Sequence, residues 1–108
     1  MIISAGEFWL ADIPFTNGKA SKKRPVLVLW LDGFDVVVAA VTSAPPRTQT
    51  DVAWQDWEQS GWRVPSTVRL SRLDCLEQRL LIVQMGKVMA HDAARIKATW
   101  QENITLQF

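Results

Sequence analysis

The stretch Ser21-Lys22-Lys23-Arg24-Pro25-Val26-Leu27-Val28-Leu29-Trp30-Leu31-Asp32-Gly33-Phe34-Asp35-Val36-Val37-Val38-Ala39-Ala40-Val41-Thr42-Ser43 decides the fold. Asp32-Gly33 is a dipeptide favoured in two-residue hairpin turns, and the runs beside it, Pro25–Leu31 and Phe34–Val41, are rich in β-branched residues and leucine. They predict an antiparallel hairpin. Apart from Asp35 both runs are continuously apolar rather than alternating, so each strand is expected to be covered on both faces by a helix, a second sheet layer or a partner subunit.

Upstream, Gly6–Ala11 predicts a first strand, followed by a loop over Asp12–Lys23 that carries Pro14 and Asn17-Gly18. Downstream, Ser43–Ser66 holds Pro45-Pro46, Ser60-Gly61, Pro65 and the tryptophans Trp54, Trp57 and Trp62. This is a long excursion with one short strand or helical turn around Val52–Glu58, and loops of such length in compact domains are usually functional. Thr67–Leu73 sets Val68, Leu70 and Leu73 against Arg69, Ser71 and Arg72, the pattern of a half-exposed strand. Leu80–Val88 predicts another strand, with Gly86 marking a bulge or bend. Ala90–Gln101 predicts the one helix, capped by Asp92, with Ala93, Ile96 and Trp100 in an apolar stripe. The sum is a mainly β fold: a single domain over residues 1–108, built as a small, strongly curved antiparallel sheet or partial barrel with a C-terminal helix.

Composition narrows the function. The 108 residues are 48% hydrophobic and 21% charged, the balance of a globular domain rather than of a disordered or coiled-coil chain. The single cysteine, Cys75, cannot form an internal disulfide, and with the single histidine, His91, it cannot build a four-ligand zinc site. One histidine also excludes a two-histidine acid/base pair, so any catalysis falls to Arg, Lys, Thr, Ser or carboxylates. No apolar run reaches the roughly 20 residues that span a bilayer, and Met1–Gly6 lacks the basic and apolar regions of a secretory signal, so a cytoplasmic protein is expected. A net charge of +1 is too balanced for a protein that coats nucleic acid, but it allows a local basic groove.

That groove has candidates. Lys19, Lys22, Lys23 and Arg24 place four cations within six positions, ending before Pro25, which pushes Arg24 into extended geometry at the entry of a strand. A guanidinium fork held there suits a phosphate bidentately, and a solvated basic loop guarding a sheet edge fits the same residues. Thr42-Ser43 closes the second hairpin strand. Its hydroxyls either bond the local backbone or join Arg24, because the start of one hairpin strand and the end of the other are neighbours across an antiparallel pair. Arg69 and Arg72 extend the positive surface or serve only solubility. Trp57 is expected in the core or an interface, while Trp54 and Trp62 fit either the core or stacking on unpaired bases. Cys75 is expected to be a small apolar filler and His91 a surface residue.

Five segments, in this order, resemble the PemK/MazF toxin endoribonucleases of bacterial toxin–antitoxin systems. They are Gly6–Asp12 with Pro14-Phe15-Thr16, Ser21–Leu29, Val41-Thr42-Ser43, Asp56-Trp57 with Gly61 and Pro65–Leu70, and Met85–Val88. The resemblance implies an SH3-like barrel acting as a homodimer, which cuts single-stranded RNA at a short sequence without a metal or other cofactor and is held by a cognate antitoxin protein. It matches Arg24 and Thr42 to the family's catalytic arginine and threonine, with Ser43 beside them, and Arg69 to an arginine that some members use in acid/base transfer. Those members carry an aspartate two positions on, where this chain has Ser71. Other members place a glutamate in the loop before the catalytic arginine, where this chain offers Lys19. The loops Pro14–Lys23 and Ala44–Ser60 would flank the RNA, with Thr16, Lys19, Lys22, Lys23, Arg47 and Arg72 as its contacts. A relative of the same fold that poisons a protein such as DNA gyrase, as CcdB-type toxins do, is the alternative; it has no need of Arg24 with Thr42. A peptide- or RNA-binding SH3-like module is a third reading, without a clear aromatic groove.

Overall fold

The chain forms β1 (Glu7–Pro14), β2 (Ser21–Asp32), β3 (Asp35–Thr42), β4 (Asp51–Trp54), β5 (Ser66–Glu77), a 3₁₀ turn (Gln78–Leu80), β6 (Leu81–Lys87) and α1 (Ala90–Asn103). The structure, a computed structural model, describes residues 2–15, 18–55, 57–59 and 62–108. All strand pairs are antiparallel, in one sheet of order β4-β5-β3-β2-β1-β6.

The expected hairpin is β2–β3, with the turn one residue later than predicted. Asp32 pairs with Asp35, so Gly33 and Phe34 are the central residues. Gly33 has φ +62° while no other residue type takes a positive φ among the described residues, which is the type II′ pattern with glycine first. The continuous apolar run also has its cause. Val26, Val28, Val36 and Val38 join Ile3, Trp9, Ala11, Leu76 and Leu81 in one buried cluster. Leu27, Ala39 and Val41 face the other way and pack with Phe8, Val52, Trp54, Val68, Leu70 and Ile96 of α1. Leu76 and Leu81 lie on strands four places apart in the sheet order yet share the first cluster, so the sheet curls around it.

β1 runs three residues beyond its predicted end. Asp12, Ile13 and Pro14 pair with Lys23, Lys22 and Ser21, so half of the expected basic loop is strand, and the Phe15 N–H donates to the Ala20 carbonyl where the chain passes from β1 to β2. β5 is longer than predicted and kinked. Ala39 pairs with Leu73 but Ala40 with Arg69, so Leu70, Ser71 and Arg72 are skipped by β3. Such a bulge bends a strand, and here the first half of β5 lies between β3 and β4 while its second half pairs with β3 alone. The expected bend at Gly86 is present: Phe8 pairs with Gly86 and Trp9 with Gln84, leaving Met85 as the bulged residue.

The helix lies where its stripe predicted, but Asp92 does not cap it. Met89 is the N-cap and gives no side-chain hydrogen bond. Asp92 is fully buried instead, accepting the Gln55 N–H at 3.0 Å and an Arg95 guanidinium N–H at 2.9 Å. Arg95, itself half-buried, also donates to the Ala53 carbonyl, so the pair fastens α1 to β4. Trp54 stacks on Phe8 with ring centroids 3.9 Å apart, and Trp62 tilts against both, which settles Trp54 as core. Trp57 packs on the same cluster, as expected. Cys75 is exposed rather than a filler, and local desolvation together with the carboxylates of Asp35, Asp32 and Asp74 pushes its thiol up. His91 is exposed and shares a 2.9 Å hydrogen bond with Gln55.

Candidate active site

On β2, Lys22, Arg24 and Val26 alternate onto one face of the sheet. Val26 sits opposite Ala40 of β3, and continuing that register two residues toward the open end of the hairpin brings Arg24 opposite Thr42. Both line one cavity of about 530 Å³. Its wall continues through Ser43, Lys22 and Lys23, and on the far side through Trp62, Arg63, Val64, Ser66 and Met85. Thr42 ends β3 half-buried, its Oγ1 accepting the Ala44 N–H at 3.2 Å, which fixes the rotamer and leaves the hydroxyl proton free to be donated. Ser43, next in sequence, is exposed.

Arg24 and Lys22 also line a second cavity, of about 240 Å³, with Ile13, Phe15, Val26, Val38, Ala40, Arg72, Leu73 and Asp74. Arg24 therefore stands between two cavities. The β5 bulge determines which residues meet it: the three-residue skip delivers Arg72 and Asp74 to the cavity and turns Arg69 away.

Arg69 is held elsewhere. Its Nε donates to Asp51 Oδ1 of β4 at 3.3 Å, with the Asp51 side chain only 1% exposed. Burial opposes the Asp51 charge, but the Arg47 N–H, the Arg69 guanidinium and the Thr48 N–H outweigh it and hold the carboxyl below its ordinary value. Arg47 is exposed in the turn before β4 and lines neither cavity, its N–H being the group that braces Asp51. Lys19 is exposed in the β1–β2 turn, outside both linings. Thr16 lies outside the described residues. Ser71 is exposed on the bulge. Arg63, Asp74, Phe15 and Met85 were not expected in the site from the sequence. Arg63 follows Trp62 in the long excursion, but only the fold shows that this loop returns to Thr42.

Among the described residues, Lys22, Lys23, Arg24, Arg63 and Arg72 gather around the two cavities against one lining carboxylate, Asp74. A chain of net charge +1 thus presents a locally cationic groove. Its fixed donors suit an anion whose charge is spread over several oxygens, as in a phosphodiester. No group of three or more His, Cys, Asp or Glu side chains able to hold a metal occurs among the described residues.

The sequence profile of a family described as PemK-like, MazF-like toxin of type II toxin–antitoxin systems matches residues 4–104. The chain belongs to this family. Comparison with curated proteins gives no match. Among solved structures, this PemK/MazF chain resembles an endoribonuclease in complex with its cognate antitoxin from a mycobacterial species, at 16% identity over 99% of both chains and a TM-score of 0.78. It resembles the Mycobacterium tuberculosis toxin MazF-mt6 at 20% identity over 87% of this chain and 93% of that one, with a TM-score of 0.67. A MazE–MazF structure from Deinococcus radiodurans matches at 22% identity over 94% of each chain, again with a TM-score of 0.67. At these identities the likeness is one of fold. No helix among the described residues is long and apolar enough to cross a membrane.

Proposed function

We propose that this toxin is an endoribonuclease that cuts single-stranded RNA at a short sequence, without a metal ion, by attack of a ribose 2′-OH on the adjacent phosphate. The observation that carries the reading is the meeting of Arg24 and Thr42 in one cavity from the two strands of a hairpin. Family membership and the endoribonucleases of the same fold support it.

In this reaction the 2′-O–P bond forms, the P–O5′ bond breaks, and the products are a 2′,3′-cyclic phosphate and a 5′-hydroxyl. The 2′-OH proton is lost and a proton is delivered to the departing 5′ oxygen. Negative charge builds on the non-bridging oxygens in the pentacoordinate state. Arg24, fixed in β2, is placed to bind that charge through two donors, and the Thr42 hydroxyl, with Ser43 beside it, adds a third. A guanidinium holds its proton tightly and is a poor proton donor, so the role of Arg24 is electrostatic. Arg69, occupied by Asp51, acts in this account by holding β4 and β5 together. Lys22, Lys23, Arg63 and Arg72 would carry the flanking phosphates. The cationic lining repels a divalent ion, which favours the metal-independent route.

A homodimer is part of the proposal. The hairpin tip exposes Trp30 at 43%, Leu31 at 47% and Phe34 at 92%, apolar area suited to a second copy. The expected protein partner is a cognate antitoxin, and the expected compartment is the cytoplasm, where RNA and antitoxin are met. Mass spectrometry of the cut ends of an RNA pool incubated in excess chelator tests the chemistry. Cyclic phosphate and 5′-hydroxyl ends are expected; 5′-phosphate ends, or no cutting until magnesium is added, would contradict it.

A further inference from the structure

Of the two cavities that share Arg24, the larger holds Thr42 and Ser43 and accounts for the phosphate chemistry. The smaller is unused by that chemistry, since neither hydroxyl lines it. Its about 240 Å³ falls below the range of drug-sized ligand sites and suits one planar ring. The walls have the makeup of a base site: Phe15 is 46% exposed and offers a ring face, Leu73 is 44% exposed, and Ile13 supplies further apolar surface. Lys22, Arg24 and Arg72 at the same cavity are placed for the backbone phosphates on either side of such a base.

The one carboxylate among the described lining residues, Asp74, then acquires a selective role. Asp74 is exposed on β5, with Oδ1 accepting the Cys75 N–H at 2.9 Å, a local bond that restrains the side chain. A carboxylate only accepts, so against a base edge it welcomes the exocyclic amine that cytosine, adenine and guanine each carry and that uracil, with carbonyls at both positions, lacks. We propose that this cavity is a nucleotide subsite beside the scissile phosphate, that its base stacks on Phe15, and that Asp74 selects a base with an exocyclic amine over uracil. The inference rests on the ribonuclease reading and assigns one position of its cleavage sequence.

The competing use of Asp74, as the proton acceptor for the 2′-OH, fits less well, because a base must reach the ribose beside the phosphate held at Thr42 while Asp74 lies in the cavity on the other side of Arg24. The test is the cleavage-site profile of a randomised RNA pool, read by sequencing for the parent chain, Asp74→Asn and Phe15→Ala. An amide both donates and accepts, so Asp74→Asn should lower the preference for amine-bearing bases over U at one position by about tenfold while cutting continues. Phe15→Ala should weaken cutting without changing which base is preferred. An unchanged profile for Asp74→Asn overturns the subsite. Uniform loss of cutting at every sequence by about 10²-fold or more makes Asp74 the proton acceptor and likewise overturns it. A parent chain that leaves the pool uncut removes the ribonuclease reading and the subsite with it.

Discussion

Replacing Arg69 by methionine separates a structural from a chemical role for a residue that the family resemblance puts in acid/base transfer. The substitution keeps most of the stem and deletes the guanidinium that meets Asp51. Stranding one member of a fully buried pair costs about 3–5 kcal/mol. Here Arg69 is 16% exposed and Asp51 keeps the Arg47 N–H on Oδ2 at 2.9 Å, so the loss is smaller, about 2 kcal/mol. For a domain of this size that lowers the melting temperature by about 10 °C. Asp51→Asn in the Arg69→Met background should recover part of it, because the stranded charge is gone. Thermal unfolding followed by circular dichroism reads the stability, and RNA cleavage at a temperature where both proteins are folded reads the chemistry. Cleavage should fall by less than tenfold, whereas deleting a general acid or base costs about 10²–10⁴. A variant melting with the parent yet losing 10²-fold or more in rate would refute the structural assignment.

Three further outcomes follow from the same geometry. The carboxyl of Asp51 titrates below its ordinary 3.8 in the folded chain, so its stabilisation is full above that value and is lost as pH falls through the lower folded pKa; Asp51→Asn should flatten the acid limb of a stability–pH curve below about pH 4. Asp92→Ala leaves Arg95 and the Gln55 N–H without their buried partner and should cost about 2–4 kcal/mol in urea unfolding, with an unaltered midpoint counting against the helix–β4 clasp. Light scattering across a dilution series should show a dimer at micromolar concentration, and a monomer throughout would remove the second copy from the account.

The hairpin and the helix were legible because their signals are local: a glycine turn between apolar runs and a 3.6-residue stripe. What misled was decided at long range. Asp92 has the side chain and position of a cap, but the Gln55 N–H and Arg95 claim it. Lys22 and Lys23 read as loop because nothing in their own sequence reveals that Asp12 and Ile13 will pair with them. The site was half legible. Antiparallel register alone placed Arg24 near Thr42. The three-residue skip in β5, invisible in a run that still alternates, is what exchanges Arg69 for Arg72 and Asp74 beside Arg24.

The central claim is that Arg24 and Thr42 form a preorganised phosphate site. Single-turnover cleavage of one RNA oligonucleotide by the parent, Arg24→Lys and Thr42→Val measures it directly. Arg24→Lys keeps the charge but loses the two-donor fork, and should slow cleavage by about 10²-fold or more; Thr42→Val loses the hydroxyl at nearly constant shape and should cost a similar or smaller factor. Both variants should melt close to the parent. Folded variants that cut RNA at the parental rate, or a folded parent that arrests growth while its RNA stays intact, would contradict the account.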